Sequence, residues 1–586
     1  MKPRKIYIGH ANSFHDPAIA IIENNAIYAE AIERHTQCKR AMEISRLWYS
    51  EKILKTALNN LGIWPVKDAD IINISSWDLD LLIDSAQKRG DENIFCEKNP
   101  NQIPFYVFTH TLASEPLFVK QLAGIIQEIP PKSSWLSYPM KSLDNNNFHS
   151  PETIPHHLAH AANAVYTSPF DECVALVVDD YGEKGSIVVY HFSDNKFTSV
   201  YESDHLIDTG SLGGLYMAMT DLCGFDPWKG EEWKVMGLAP YGKYQDDLYQ
   251  VFRDNIKTDG FTVKIKDFRS PLKSVCSTFR QPGDPDVMLS ADLAYNFQKR
   301  FEEIIIDIAK TAADLSLSDN LAYGGGCALN SSANGKILSH TAFKHLHIPC
   351  APADDGNSLG AALYKKYHDD KKDRETKITS PYLGRKADIQ KLKRTLDYKS
   401  ISFEKARDEN DLCTKTAQLL SDGKIIGWFQ GSAEFGPRAL GNRSILANPG
   451  LSSIKQRIND QIKFREWYRP LAPSILHEFG SEYFENYQES PYMERTLVFK
   501  KEVWEKIPAV VHENGTGRLQ TVKKEWNPLY YQLIRTFYEK TGIPLILNTS
   551  LNIMGRPIVH SVEDAITVLF TTGLDYMIIE NYIIYQ

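Results

Sequence analysis

The chain predicts an α/β protein of two large parts, and three observations carry that expectation. A strand–loop–hairpin pattern occurs twice in the first third of the sequence. Helical and strand-like periods then continue to a charged connector, Lys365 to Lys377, with almost no apolar residue. Beyond it lies a stretch dense in Arg and Lys set among Gly, Pro and aromatic residues. At 586 residues the chain should hold more than one core, while 42% hydrophobic and 24% charged residues are ordinary for globular protein.

The first copy of the pattern runs from Ile6-Tyr7-Ile8 through a polar loop, Gly9 to Asp16, into Ala18–Ile22 and Ala26–Ala29. Asn24 and Asn25 join the last two strands, as suits residues that tolerate left-handed backbone angles. The second copy runs from Val174–Val178 through Asp179 to Gly185, then into Ile187–Tyr190 and Phe197–Val200 around Asp194-Asn195. Two such units suggest similar halves facing across a cleft, each loop offering backbone N–H groups to a phosphate. The arrangement resembles nucleotide binding in the actin, sugar-kinase and Hsp70 superfamily. Two unrelated hairpins are the alternative.

Between the copies, Pro155 opens an Ala-rich helix in which His156 and His160 stand four apart, so both imidazoles share one face. Asp179 and Asp180 end the strand that follows. Two imidazoles and a carboxylate form the ligand set of a metal with open positions. The plain alternative is one surface His, one core His and a turn aspartate. Further on, Phe297, Phe301, Ile304, Ile305 and Ile308 mark a long core helix from Ala291 to about Ala313. A short strand then leads to Gly324-Gly325-Gly326 and Asn330, where absent side chains let backbone approach a planar ligand such as adenosine. Asp354 and Asp355 fall near the start of another helix, where carboxylates also serve simply as caps.

In the second part Arg438, Arg443, Lys463, Arg465, Arg469 and Arg518 sit in Gly-, Pro- and aromatic-rich turns, with Asn548 and Ser550 at a strand end. Cations so placed need anionic partners, and a site for several phosphates is the natural reading; structural salt bridges are the alternative. A net charge of −8 argues against general nucleic-acid attraction. No window approaches the roughly eighteen apolar residues of a membrane span. The N-terminus reads as a first strand, not a signal peptide. Eight cysteines without a C-x-x-C pair fit reduced thiols and a cytoplasmic enzyme.

Taken in order, Ser13-Phe14-His15-Asp16, the His156–His160 helix, Lys234-Val235-Met236-Gly237-Leu238-Ala239-Pro240, Gly325–Asn330, Phe435–Gly441, Lys463–Glu466, Gly515–Arg518 and Asn548–Ser550 resemble the O-carbamoyltransferases of the nodulation-factor and tobramycin type. The resemblance covers nearly the whole chain. It implies an N-terminal actin-like ASKHA (duplicated ribonuclease-H-like) domain over 1–370 and a YrdC-like α/β domain over 371–586. It further implies that carbamoyl phosphate and ATP, with Mg2+ accompanying ATP, give carbamoyl adenylate in the second domain. The carbamoyl group then passes to a hydroxyl of a small-molecule acceptor in the first.

By the same resemblance His156, His160, Asp179 and Asp354 hold iron(II) or another divalent metal, and His15 acts on the acceptor hydroxyl. A loop histidine bonded to Asp16 is the alternative for His15. Arg438, Lys463, Arg469 and Arg518, with Asn548 and Ser550, handle the nucleotide and carbamoyl phosphate, and Arg438, Lys463 and Arg469 count with His15 as catalytic. His512 lies nearby as a polar orienter. The chain departs from the family pattern at Asp180 and Asp355, each an extra carboxylate beside a metal ligand, and at Arg556, where the family tends to carry an acid. The Asp78–Asn147 region reads as an insertion. Neither nucleic acid nor membrane is expected as a partner, and a homodimer stays open. The rivals are an actin-fold small-molecule kinase and a non-catalytic nucleotide-binding regulatory protein.

Overall fold

The computed structural model describes residues 4–11, 15–44, 51–64, 66, 69–78, 81, 152–204, 210–276, 279–370, 380–399 and 401–585. Most of the Asp78–Asn147 region, residues 12–14 of the first loop and residues 371–377 of the connector lie outside them.

Strands β1 (Arg4–Ala11), β2 (Ala18–Glu23), β3 (Ala26–Ala31), β4 (Ala69–Ser75) and β5 (Glu152–Thr153) form one sheet in the order β3-β2-β1-β4-β5. Strands β6 (Cys173–Val178), β7 (Ile187–Ser193) and β8 (Lys196–Glu202) begin a second sheet. A separate hairpin, β9 (Ile256–Asp259) and β10 (Thr262–Ile265), precedes β11 (Asn320–Gly324) and β12 (His345–His347), which complete it.

The second sheet runs β8-β7-β6-β11-β12 and repeats the first in both order and strand direction. The twice-occurring sequence pattern is therefore a duplicated fold unit. Asn24, Asp194 and Asn195 take the positive φ angles that their hairpin turns require.

Two helices, 156–166 and 357–370, fill the space between the sheets, and a third, 291–314, lies on the other face of the second sheet. Helix α1 (His156–Tyr166) packs on β6 and β11. The long α2 (Ala291–Asp314) buries Phe297, Phe301, Ile304, Ile305 and Ile308 in the core beside the second sheet. Helix α3 (Asn357–Asp370) packs on β1 and β2 and also on α1. Small residues allow this contact: a Cβ at Gly360 would lie 2.0 Å from the Ala159 carbonyl oxygen. The loops after β1 and β6 and the N-terminal ends of α1 and α3 thus meet at one end of the double unit.

The rest of the chain builds a nine-stranded mixed sheet from β13 (Phe403–Lys405), β14 (Ile426–Phe429), β15 (Arg443–Ala447), β16 (Ala472–Leu476), β17 (Arg495–Val498), β18 (Thr516–Val522), β19 (Leu545–Ser550), β20 (Tyr576–Ile579) and β21 (Tyr582–Tyr585). Its order is β13-β21-β20-β14-β15-β19-β16-β18-β17, with its own cores on the two faces. Helix α4 (Val562–Thr571) leads into β20 and carries a capping box, Ser561 with Asp564. Polar contacts join this part to the duplicated one: Lys234 bridges Glu231 and Glu466, and Arg34 donates to the Gly436 carbonyl. Among the described residues no helix is long and apolar enough to cross a membrane.

Candidate functional site

Helix α1 begins at Pro155, which offers no side-chain cap; the buried Glu183 carboxylate accepts from the His156 backbone N–H instead, at 3.0 Å. His156 and His160 are both buried, so the surface–core alternative does not hold. Their Nε2 atoms lie 3.3 Å apart. Asp179, at the end of β6, places a carboxylate oxygen 3.4 Å from His156 and 3.1 Å from His160. Asp354, in the turn before α3, places one 3.5 and 3.4 Å away.

Metal–ligand bonds of about 2.0–2.2 Å in a tetrahedral set require donor separations of roughly 3.3–3.6 Å. The four residues match that frame. Nδ1 of His160 faces the Pro352 carbonyl at 3.1 Å, the second contact that turns Nε2 toward an ion. Burial opposes a charged His156, but Asp354 and Asp179 outweigh it and push its pKa up to about 10. Burial likewise opposes ionisation of Asp179 and Asp354, and the imidazoles hold both well below the usual carboxylate range. A divalent ion here would take up the lone pairs of both imidazoles and displace any proton on them.

The two extra carboxylates point elsewhere. Asp180 accepts from the Ser211 hydroxyl at 2.8 Å, and burial pushes its pKa up to about 7. Asp355 accepts from the Gly356 N–H at 3.0 Å and is pushed up to about 8, by burial first. Asp179 is itself held by the Gly326 N–H at 2.7 Å. His15 stands 2.9 Å from Asp16 and 3.7 Å from Asp354, so it borders the cluster while bonded to its neighbour. Trp77 stacks on His156 with ring centres 4.1 Å apart.

A cavity of about 420 Å3 opens from this cluster. His15, Asp179 and Asp354 line one end; Arg438, Lys463, Arg469, Arg518, Asn548 and Ser550 line it from the other part of the chain. Lys463 ends a single π turn, Asn459–Lys463, a distortion frequent at functional sites. Its ammonium donates to the Ser550 hydroxyl at 2.9 Å and to Asn552 Oδ1 at 2.6 Å. Burial, then Arg465, Arg469 and Lys39, hold it well below the ordinary lysine value. Burial, then Arg438, Arg465 and Arg469, depress Arg518 likewise. Arg469 stacks on Trp233 at 3.6 Å and is lowered to about 10, mainly by burial. These guanidiniums line the cavity, Arg518 from near the start of β18 and Arg469 from the turn before β16. Such a concentration of positive charge suits a polyphosphate.

Some expected residues do other work. Gly324 and Gly325 pack against chain and not along the cavity; a Cβ at Gly325, where φ is +91°, would lie 2.3 Å from the Val178 carbonyl oxygen. Only Gly326 of the three reaches the cavity wall. Asn330 also lines it, but its side chain caps the helix at Ala333 and pairs with Gln298. Asn548 donates to Ala439, Ser474 and Gln520 within the protein. Arg443 is a structural cation: it is fully buried and donates to four backbone carbonyls. Sequence reasoning passed over Lys39, Arg40, Trp233 and Asn552, which line the same cavity. The adjacent Lys39-Arg40 pair was the one available signal.

The comparisons decide what such a cavity belongs to. The model of the carbamoyltransferase N-terminus matches residues 7–363, and that of the carbamoyltransferase C-terminus matches 417–586. The chain belongs to the carbamoyltransferase family. Nodulation protein NolNO of Sinorhizobium fredii is 34% identical over 453 residues, covering 74% of this chain and 63% of that protein. Nodulation protein U of the same species is 26% identical over 570 residues, 92% of this chain and 93% of its own length. A crystal structure of full-length HypF in a phosphate- and nucleotide-bound form overlaps 65% of this chain and 57% of that one, at 12% identity and a TM-score of 0.31, too distant to carry an argument. The protein is thus a carbamoyltransferase enzyme, and the cavity is the place to seek its substrates.

Proposed function

We propose that this carbamoyltransferase is ATP-dependent. Carbamoyl phosphate is hydrolysed to carbamate and inorganic phosphate, and the carbamate oxygen attacks the α-phosphorus of ATP to give carbamoyl adenylate and release pyrophosphate. The carbamoyl group then passes to a small-molecule hydroxyl with AMP as the leaving group. In this reading residues 1–370 are an actin-like ASKHA domain and residues 371–586 a YrdC-like one. The repeated five-stranded topology supports the first assignment. One observation carries the functional reading: a single cavity runs from the cation cluster to the four-residue metal cluster.

Arg438, Lys463, Arg469 and Arg518 neutralise the phosphates and the charge that develops as pyrophosphate leaves. Trp233 holds Arg469 flat against it, and Ser550 and Asn552 hold the Lys463 ammonium in place. Passage within one cavity keeps a readily hydrolysed mixed anhydride from water. His156, His160, Asp179 and Asp354 would hold iron(II) or another divalent metal, which when bound would supply Lewis-acid stabilisation of developing negative charge. His15 takes the proton of the acceptor hydroxyl while Asp16 orients its ring, the other carboxylate contact of Asp16 being Arg40 at 3.0 Å.

The test is anaerobic incubation of the full chain with iron(II), Mg2+, ATP and carbamoyl phosphate. Pyrophosphate release that depends on carbamoyl phosphate is expected. ADP as the sole nucleotide product would overturn the reading in favour of a kinase.

A further inference from the structure

A second group of metal-ligating side chains lies outside the catalytic cavity, at the seam between the two parts of the chain. It consists of Glu30 near the end of β3, His35 in the helical turn that follows, and His560 just before α4. Each offers one donor atom, and the three donors lie within 4.8 Å of one another. None of the three lines the cavity.

Local structure sets each residue. Glu30 is buried, and Tyr28 donates its hydroxyl to one carboxylate oxygen. His560 is 8% exposed, and its backbone N–H leans on Asp564 of the capping box at 3.3 Å. The two imidazole rings sit 4.4 Å apart at 54°.

The directions of these groups are more telling than their distances. His35 Nε2 is 2.8 Å from one Glu30 oxygen, and His560 Nδ1 is 3.2 Å from the other. Yet neither nitrogen makes a hydrogen bond of acceptable angle, and the second ring nitrogen of His560 also meets no hydrogen-bond partner among the described residues. Three ligating side chains this close, without hydrogen-bond alignment, form an arrangement that a shared ion would satisfy. A buried, unpartnered imidazole costs free energy unless something takes its lone pair.

We propose that Glu30, His35 and His560 form a second, structural metal site for a borderline divalent ion of the zinc class. Two imidazoles and one carboxylate are a recurrent zinc ligand set, and Tyr28 bonded to the ligand carboxylate supplies the outer contact that such sites require. Glu30 lies on β3 and His35 in the turn after it, whereas His560 belongs to the nine-stranded part. The segment immediately before His560, Ile553 to Ile558, lines the catalytic cavity. An ion at this site therefore fixes that wall against the first sheet.

The test is zinc stoichiometry on full-length protein stripped with chelator. His156→Ala/His160→Ala removes the first cluster, so remaining high-affinity zinc reports the second. About one zinc per chain is expected in that background, with cobalt(II) giving the visible d–d bands of a protein-bound ion. Adding His560→Ala or His35→Gln should abolish both signals while circular dichroism stays unchanged. If the background variant binds no zinc at micromolar concentration, the site does not exist. If it binds zinc but neither addition alters the stoichiometry, the ion lies elsewhere and the assignment is equally overturned. In the His156→Ala/His160→Ala background zinc should raise the melting temperature, and adding His35→Gln should remove that rise.

Discussion

Arg438→Met should make the ligand-free enzyme more stable and nearly inactive. Arg438 lines the cavity from the loop between β14 and β15, which Glu434 organises by accepting the backbone N–H groups of Leu440, Asn442 and Arg443 at 2.7–3.0 Å. Among the described residues no carboxylate pairs with its guanidinium, and burial alone lowers its pKa to about 10. At about 1.4 kcal/mol per unit, holding that charge costs about 3 kcal/mol, and partial hydration from the cavity reduces this to about 1–2 kcal/mol. Methionine keeps the stem volume and removes the charge. Thermal denaturation should therefore show the ligand-free variant melting above the wild type, while ATP should stabilise the wild type far more than the variant. Carbamoyl-phosphate-dependent pyrophosphate release should fall at least about 100-fold, as for loss of an aimed electrostatic group. A variant that melts lower and still releases pyrophosphate at the wild-type rate would refute the reasoning and make Arg438 a structural cation like Arg443.

Three further outcomes follow from the same geometry. His160→Ala should lower metal content by one ion per chain while leaving pyrophosphate release in place, since the cation cluster is untouched; equal loss of both would contradict separate roles. Burial and the neighbouring cations hold Lys463 well below the ordinary lysine value, and a bound phosphate would raise it again. Nucleotide affinity should then weaken as pH rises past that depressed value. Calorimetry in buffers of different ionisation heat should show proton uptake that Lys463→Met abolishes. Gly360→Ala should lower the melting temperature and the metal content together, because its Cβ would force α3 away from Ala159 on α1; overpacking of this kind costs about 1–3 kcal/mol.

Features written in local spacing were legible. The two hairpins announced themselves through Asn24-Asn25 and Asp194-Asn195, and the His-x3-His spacing put both imidazoles on one helix face. That the two units repeat strand order needed β4 and β11, whose places depend on long crossovers. Asp354 was reachable only through family resemblance, because it joins the cluster from nearly two hundred residues away. Identity alone could not separate Arg438, open to the cavity, from Arg443, whose donors are spent on backbone. Nor could it foresee that Asp180 and Asp355 turn to Ser211 and Gly356. The Glu30–His35–His560 group left no mark at all, for its members sit at opposite ends of the chain with no spacing to read.

The most direct test of the account isolates the adenylate. His160→Ala enzyme is pulsed with ATP and labelled carbamoyl phosphate, separated rapidly from small molecules and quenched. Labelled carbamoyl adenylate should be retained at up to one per chain, formed by the cation cluster and stranded before transfer. Label recovered only as carbamoyl phosphate or carbamate, with no nucleotide attached, would contradict it.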